Sequence, residues 1–410
     1  MRAMADVGIV MPVYKQDPAL LSAAIHSVRN QTRKGFRLVI VVDGAPEMEP
    51  LVRAGTQGDK RVEIVVCPVN GGVASALNTG FDILFKDPSI VYLTWVSSDN
   101  VYHPRFVEVL RRELAKGPPE LGLVYSSFRG IDDHGNVISS EAELAARRQY
   151  QAQPQEKLLE SSIVGVSFMY KAIFARMIGG YGMEPVEDYD FWLRLTDHCR
   201  IRHIPVELVD YRVNSEHSIS VSLQAPAQHR RWRHAFHQTR LQARTRRGIK
   251  PELTVLFPLV TALEEEKTAL ESLYEQTYSN YRCHVIDLSY DGQPASVLSQ
   301  LSHPTTKFEF LPGVGVTPAI HHALQEVTTP YVMVLGQDAF TLPHDVDALF
   351  EYIRANQNPD AISFYFPIGT RNAVPRLTAG PSTVKPNIFL ELFYTDRLRQ
   401  LIGGIIAAGG

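Results

Sequence analysis

The chain has 410 residues, 45% of them hydrophobic, and a formal net charge of −3. That length allows two or three domains, each able to bury a full core, and the charge balance argues against an overall basic nucleic-acid binder, so no nucleic-acid partner is expected. Cys67, Cys199 and Cys283 lie far apart and match neither a disulfide framework nor a zinc-ligand spacing, so a reducing, cytoplasmic compartment is expected.

The first apolar run, residues 7–14, is followed by Lys15 and Asp17 without a small-residue cleavage site. It reads as a strand rather than a signal peptide, and no run reaches the length of a membrane span, so a soluble chain is expected. The strand, 8–13, ends in Met11-Pro12-Val13-Tyr14. Pro18 then starts a helix whose Leu21, Ala24, Ile25 and Val28 fall at helical spacing and which closes at Gln31-Thr32. A second strand, 37–42, runs into Asp43-Gly44. A third, 62–67, runs into Asn70-Gly71-Gly72 and a helix from Val73. Residues 91–96 form an apolar, β-branched run that reads as a strand buried on both faces, ending abruptly in Ser97-Ser98-Asp99-Asn100. Pro104 opens the next helical pattern, through Phe106, Val109, Leu110 and Leu114. Strands alternating with helices imply a mostly parallel α/β sheet covered on both faces.

Three loops therefore converge on one sheet edge, at Pro12–Tyr14, Asp43-Gly44 and 97–100. Open α/β sheets hold ligands at the carboxyl ends of their strands, although Asp99-Asn100 alone is equally an Asx turn and Asp43-Gly44 alone an ordinary turn. Gly71 and Gly72 let backbone approach a ligand, and a helix starting there offers free N–H groups to phosphate. Further on, residues 187–195, EDYDFWLRL, read as an amphipathic helix with Phe191 and Leu195 in the core and Asp190 paired with Arg194. Asp188 and Trp192 share another face, with core packing the expectation for Trp192. Residues 223–250 are rich in Arg and His with interleaved Trp232, Phe236 and Leu241, which suggests a basic helix linking two domains. Its default reading is a solvated linker face; the alternative is peripheral contact of 229–250 with an anionic membrane surface or lipid-linked acceptor.

The ordered pieces VGIVMPVY, SVRNQT, VIVVDG, NGGVASALNTG, WVSSDN, SFMYKAIFARMIGGYGMEPVEDYDFWLRL and YRVNSEHSIS resemble the family 2 glycosyltransferases, which have the GT-A fold. The resemblance spans about residues 6 to 222. It implies an inverting transferase that moves a sugar from a nucleotide-diphosphate donor, with a UDP-sugar favoured, to a glycan or other hydroxyl acceptor. By that resemblance Pro12, Tyr14 and Asp43 contact the base and ribose of the donor, Asn70 and Gly72 lie beside it, and Asp99 holds a divalent cation, Mn2+ or Mg2+. Asp188 would be the catalytic base, supported by Glu187. Ser97, Ser98 and Asn100 replace three possible carboxylates of the commonest family pattern, and the form present here, one Asp followed by Asn and an aromatic, looks nearer to spore-coat and envelope polysaccharide transferases. His217 is either an extra metal ligand or a solvated loop histidine.

The remainder repeats the first part. LTVLFPLV answers GIVMPVY, SLYEQT answers SVRNQT, HVIDLS answers VIVVDG, GVTPAIHHAL answers GVASALNTGF and VMVLGQDAF answers LTWVSSDNV. Asp338 thus stands at the position of Asp99, and Asp287 at that of Asp43. The expected organisation is a catalytic GT-A domain at 1–222, a basic helical linker at 223–250, and a second GT-A-like domain at 251–410. The second domain is expected to be non-catalytic, because it has no counterpart of Glu187-Asp188 and stops inside an apolar run, which suggests truncation. Asp338 is expected to survive as a helix cap. Two rival functions stand beside the transferase: a non-catalytic sugar- or nucleotide-binding pseudo-transferase or scaffold, and a sugar-nucleotide nucleotidyltransferase. The latter needs a Gly- and Arg/Lys-rich phosphate loop after the first strand, and MPVYKQDP is not one.

Overall fold

The computed structural model describes residues 5–213, 223, 225–356, 361–365, 375–379 and 388–408. The chain divides into two compact units, Met1–Thr239 and Arg240–Gly410.

In the first unit β1 (Val7–Val13), α1 (Pro18–Arg29), β2 (Phe36–Asp43), α2 (Glu49–Thr56), β3 (Val62–Cys67), α3 (Val73–Phe85) and β4 (Tyr92–Trp95) alternate. The strands β3, β2, β1 and β4 lie side by side in parallel, with β1 central and nearly all of it buried. Helix α1 forms where expected because Asp17 accepts hydrogen bonds from the Ala19 and Leu20 amides (2.8 and 3.1 Å), Pro18 presets the first turn, and Leu21, Ala24, Ile25 and Val28 are buried against the sheet. Then follow β5 (Val101–Tyr102), α4 (Phe106–Lys116), β6 (Leu121–Ile131), α5 (Glu141–Gln151), β7 (Phe168–Lys171), α6 (Ala172–Ile178), α7 (Glu187–Leu195) and β8 (Arg200–Arg212). The sheet order is β3-β2-β1-β4-β7-β6-β8-β5, with β7 antiparallel to both β4 and β6. One expectation is corrected: β4 is not buried on both faces over 91–96. Val91 is 44% exposed, and Tyr92 and Trp95 are half-buried, because β4 is short and its last residue turns toward the carboxyl edge.

Helix α8 (Pro226–Arg246) carries the boundary between the units. The expected solvated face is corrected as well. Arg233, His237, Arg240 and Arg244 are buried, and the Arg244 guanidinium donates to the Ser279 carbonyl and hydroxyl (3.1 and 3.0 Å) within the second unit. For Arg244 those hydrogen bonds let the stem bury where composition alone suggests solvent. Among the described residues no helix is long and apolar enough to cross a membrane.

The second unit contains β9 (Leu253–Leu259), α9 (Glu264–Tyr274), β10 (Tyr281–Asp287), α10 (Gln293–Ser299), β11 (Thr306–Phe310), α11 (Val316–Glu326), β12 (Tyr331–Val334), α12 (Asp345–Ala355), β13 (Ala361–Tyr365), β14 (Arg376–Ala379), β15 (Leu392–Tyr394) and α13 (Thr395–Ala407). Its sheet runs β11-β10-β9-β12-β15-β13-β14. The first six strands repeat, place for place, the order β3-β2-β1-β4-β7-β6. Both units are thus α/β folds with a parallel core and antiparallel β7 or β15 beside it.

Candidate active site

Because β1, β2 and β4 are parallel, their exits meet at one edge, as the pairing of Val13 with Val42 and of Val10 with Trp95 requires. Pro12 lies half-buried in β1 opposite Val41, and Tyr14, 44% exposed, stands just beyond it with the Lys15 ammonium 5.6 Å from its ring. At the β2 exit the Asp43 carboxylate is buried and accepts hydrogen bonds from the Gly71 and Gly72 amides, each at 3.1 Å. Asn70, exposed, closes the same turn by accepting from Gly72 N at 2.8 Å. Gly44 has φ +66, and a Cβ there would fall 2.1 Å from the Asn70 nitrogen, so only glycine lets this exit touch the turn.

The expectation of free amides at the start of α3 is corrected. The Gly71 and Gly72 amides go to Asp43, and the Ala74 amide donates to Glu184 Oε1 at 2.8 Å. Carboxylates therefore already occupy the positive end of that helix.

The β4 exit is held from several sides. Gln16 Nε2 donates to Ser98 Oγ at 3.5 Å, the Ser97 amide donates to the Tyr102 hydroxyl at 2.7 Å, and the Ser97 hydroxyl donates to Asp99. Arg212, buried at the end of β8, donates from Nε to the Asp99 carbonyl at 3.2 Å, and its amide donates to Asn100 Oδ1 at 3.0 Å. Asn100 is thereby spent on the fold, whereas the half-buried Asp99 carboxylate belongs to the loop. Burial pushes the Tyr102 hydroxyl well up, and the negative charges of Asp99 and Asp188 add to that shift. Both carboxylates thus act on one buried phenol. His217 lies outside the described residues.

Glu187, Asp188 and Asp190 occupy the first turn of α7, where acidic groups complement the helix dipole. Asp190 pairs with Arg194 at 2.7 Å and Trp192 is buried, both as expected. Asp188 Oδ1 accepts a hydrogen bond from the Trp95 indole at 3.1 Å, which ties α7 to the last residue of β4. Burial holds the Asp188 carboxyl well above the ordinary carboxylate range; the neighbouring Glu187 raises it further, and the Trp95 bond offsets part of the rise. Glu187 is buried, its Oε2 has no hydrogen-bond partner, and burial followed by the charge of Glu184 raises it too. The two carboxyls titrate as a pair.

The structure therefore brings Asp99, Asp188 and Glu187 together around the β4 exit, and joins Asp43 to the Asn70–Gly72 turn at the β2 exit. Reading the sequence missed Trp95, Arg212 and Glu184 as parts of this site. Arg212 had a signal in the Tyr211-Arg212 pair; the other two had none. Cavities of about 780 Å³ in the second unit, beside Arg244, Cys283 and His284, and about 550 Å³ in the first, beside Phe81, Tyr170 and Phe191, are lined by none of these expected residues.

In the second unit Asp287 accepts from the Ser289 amide in the loop that follows it and from the Ala295 amide in the first turn of α10 (2.9 and 2.8 Å). Asp338 is exposed and does not cap α12. That expectation is corrected, because Asp345 takes the Thr341 and Leu342 amides, each at 2.9 Å.

The family model described as glycosyl transferase family 2 matches residues 8–176 and 260–406. A Rickettsia conorii protein described as an uncharacterized glycosyltransferase is 26% identical over 216 residues, covering 51% of this chain and 34% of that protein. A Rickettsia prowazekii protein of the same description is 27% identical over 226 residues, covering 53% of this chain and 67% of that protein. The match thus spans about a third of the first relative and two thirds of the second. Among solved structures, Staphylococcus aureus TarS (residues 1–349) in complex with UDP-GlcNAc aligns with a TM-score of 0.45 and 11% identity, over 57% of this chain and 66% of that one. With the family model covering most of both units, the chain belongs to glycosyl transferase family 2.

Proposed function

We propose that the first unit transfers a sugar from a nucleotide-diphosphate donor to a hydroxyl of a glycan acceptor, with inversion at the sugar carbon. Uridine diphosphate is the favoured nucleotide. The observation that carries this reading is the shared strand end: β4 delivers Asp99 in its exit loop, while its last residue, Trp95, holds Asp188 by the indole.

Asp188 would take the proton of the acceptor hydroxyl as the acceptor oxygen forms its bond to the sugar carbon. The bond to the diphosphate breaks on the opposite face, and its electron pair leaves with the diphosphate. A carboxyl raised above its usual range is, once ionised, a stronger base than an ordinary aspartate. Glu187 would strengthen it through its charge. Tyr14 and Pro12 would flank the base, and Asp43 would act by shaping the Asn70–Gly72 turn beside the ribose.

Family membership implies a divalent cation. Asp99, with the Ser97 hydroxyl donating to it, is a hard oxygen donor, while Asn100 Oδ1 is engaged by the Arg212 amide. Among the described residues no group of three or more His, Cys, Asp or Glu could hold a metal, so Asp99 fits a cation that draws its other ligands from diphosphate and water. Bound there, the cation would offset the charge of the departing diphosphate.

One observation favours a second reading, binding without turnover: carboxylates occupy the α3 amides, which are then not free to stabilise a departing diphosphate. Hydrolysis of UDP-glucose, UDP-N-acetylglucosamine and GDP-mannose, with and without Mn2+, separates the two. Turnover of any of them supports the transferase. Binding of nucleoside diphosphate with no turnover, and no transfer to added saccharides, would replace it with the second reading.

A further inference from the structure

The donor-side helix α3 and the segment that leads into α7, whose first turn carries Glu187 and Asp188, are joined at two points. Near the middle of α3, Asn78 donates to the Tyr181 carbonyl at 2.9 Å and accepts from the Tyr181 amide at 2.7 Å. At its first turn, the Ala74 amide donates to the Glu184 carboxylate at 2.8 Å. Gly72 is what admits that carboxylate: a Cβ there would lie 2.6 and 2.8 Å from its two oxygens, and the backbone sits at φ +88. Met183, immediately before Glu184, has φ +56, a sparsely populated conformation for a non-glycine residue that persists only where its surroundings hold it. From the other side, Arg194 donates to the Ile178 and Gly180 carbonyls (2.7 and 2.9 Å). Among the described residues the second unit shows no such clamp at the equivalent helix start: Gly315 has ordinary negative φ (−69°) with Pro318 near it, and His321 stands where Asn78 does.

We infer that Glu184 is a positioning residue, which clamps the base-bearing turn to the donor-side loop so that the donor and acceptor halves form one site. It rests on the reading of Asp188 as base, but not on the identity of the sugar. Glu184 touches neither donor nor acceptor in this role. It fixes where Asp188 stands relative to the Asn70–Gly72 turn, and a misplacement on the order of 1 Å at a reacting group costs up to about 100-fold in rate.

The test uses the full chain, with whichever of UDP-glucose, UDP-N-acetylglucosamine or GDP-mannose the wild type hydrolyses. Glu184→Ala is expected to lower kcat by about 10- to 100-fold with KM changed by less than about threefold. Glu184→Gln, which keeps an oxygen acceptor for Ala74, is expected to restore most of kcat. Gly72→Ala should lower kcat by displacing the carboxylate, and the Gly72→Ala/Glu184→Ala double variant should fall no further than the worse single one. Hydrogen exchange at the Ala74 amide should speed up in Glu184→Ala and not in Glu184→Gln. Normal kcat in Glu184→Ala, failure of Glu184→Gln to rescue, additive losses in the double variant, or unchanged Ala74 exchange would each overturn the clamp. If the wild type neither hydrolyses a donor nor transfers to added saccharides, the transferase reading fails. The exchange measurement and a stability cycle between Gly72→Ala and Glu184→Ala then decide the clamp without it.

Discussion

In the first unit Gln31, just past α1, donates to the carbonyls of Ser27 and His103 (3.1 and 2.9 Å) and accepts from the Val107 amide at 2.9 Å. In the second, Gln276, just past α9, donates to Ser272 and Leu342 (3.3 and 2.9 Å) and accepts from Val346 at 3.1 Å. The next residue repeats as well. Thr32 and Thr277 each donate their amide at 2.8 Å to a proline carbonyl, Pro104 or Pro343, and their hydroxyl to an acidic residue of the following helix, Glu108 or Asp347. The same motif, Gln-Thr, therefore locks the same helix onto the same crossing loop twice.

The carboxyl edges diverge. Asp43 reaches across to the turn before α3, while Asp287 holds the loop and the helix that directly follow it; Asp99 shares a strand end with Asp188, while Asp338 stands exposed with no acidic partner from a described helix. What both units retain is what any sheet of this order needs for closure. What differs, among the described residues, is the polar contact at the strand exits: the first unit joins Asp43 to Gly71 and Gly72 and Trp95 to Asp188, whereas the second joins Gln337 to Glu266 at 3.0 Å. It is the contrast expected if the first unit carries the proposed transfer and the second does not.

The sharpest way to break the contrast is to remove the proposed base. Asp188→Asn should lower sugar transfer by roughly 10²–10⁴ and leave donor binding intact, since the amide keeps an oxygen for the Trp95 indole. Glu391, the buried carboxyl of the second unit that accepts from Ser363 at 2.5 Å, should tolerate Gln without loss of transfer. Stability should move the other way. The Asp188 carboxyl is raised in the folded chain, so its contribution is fully present below the unfolded aspartate pKa and is lost as pH rises through the folded value. At neutral pH the Asn variant is therefore expected to melt higher than wild type, and the two melting curves should converge in acid. Lower melting at every pH would assign Asp188 to the core instead of the chemistry. In the same scan, transfer by the wild type should fall as pH drops through the raised range of the Glu187–Asp188 pair. Glu187→Gln should shift that fall to lower pH, because it removes a charge that raises Asp188.

A second comparison sets Asp99→Ala against Asp338→Ala. Saturating UDP with Mn2+ at about 100 times its Kd should stabilise the wild type by about 2.7 kcal/mol, and only Asp99→Ala should lose the cation-dependent share. Thermal shift with and without EDTA reads both. Equal losses in the two variants would mean that the second unit binds the donor as well.

How much of this the sequence carried depends on distance along the chain. Local patterns sufficed for β1, β2, β3 and α1, for the start of α3 after Gly72, and for the Asp190–Arg194 pair, because each is settled by neighbours within a few residues. The duplication was legible because SVRNQT and SLYEQT encode one latch. The site itself was only half legible. Trp95 and Asp188 are 93 residues apart, and Ala74 and Glu184 are 110 apart, so their pairing follows from sheet order and from nothing local. For the same reason an amide-rich helix start read as a phosphate site, when a distant carboxylate fills it. Helix α8 misled through composition: a run of cations suggests solvent, but Arg244 finds Ser279 and is buried.

The latch predicts an effect of the same kind in both units. Gln31→Ala and Gln276→Ala each strand two carbonyls and an amide, so each should cost about 2 kcal/mol, within the range for buried groups left unsatisfied. Denaturant melts of the full chain should show one transition weakened in each variant. If only one of the two variants destabilised, the repeated latch would not be a shared requirement.

The smallest expected effect lies where α3 and α11 pack on their central strands. A Cβ on Gly80 would lie 2.5 and 2.8 Å from the two methyls of Val10, and Val10 is fully buried in β1 with strands hydrogen-bonded on both sides, so it has nowhere to move. In the second unit the same position is Ala323, itself fully buried. Helix propensity alone says Gly80→Ala should stabilise by about 1 kcal/mol, whereas overpacking a rigid contact costs about 1–3 kcal/mol. The overpacking term is the larger, so Gly80→Ala is expected to destabilise by up to about 2 kcal/mol. Ala323→Gly meets no such conflict: it loses propensity and a buried methyl together, so it too should destabilise, by about 1–2 kcal/mol. Opposite substitutions at equivalent positions then shift stability in the same direction, each helix being fitted to its own strand. A rise in melting temperature for Gly80→Ala would mean that Val10 yields, and that the close approach of α3 to β1 is not what requires glycine there.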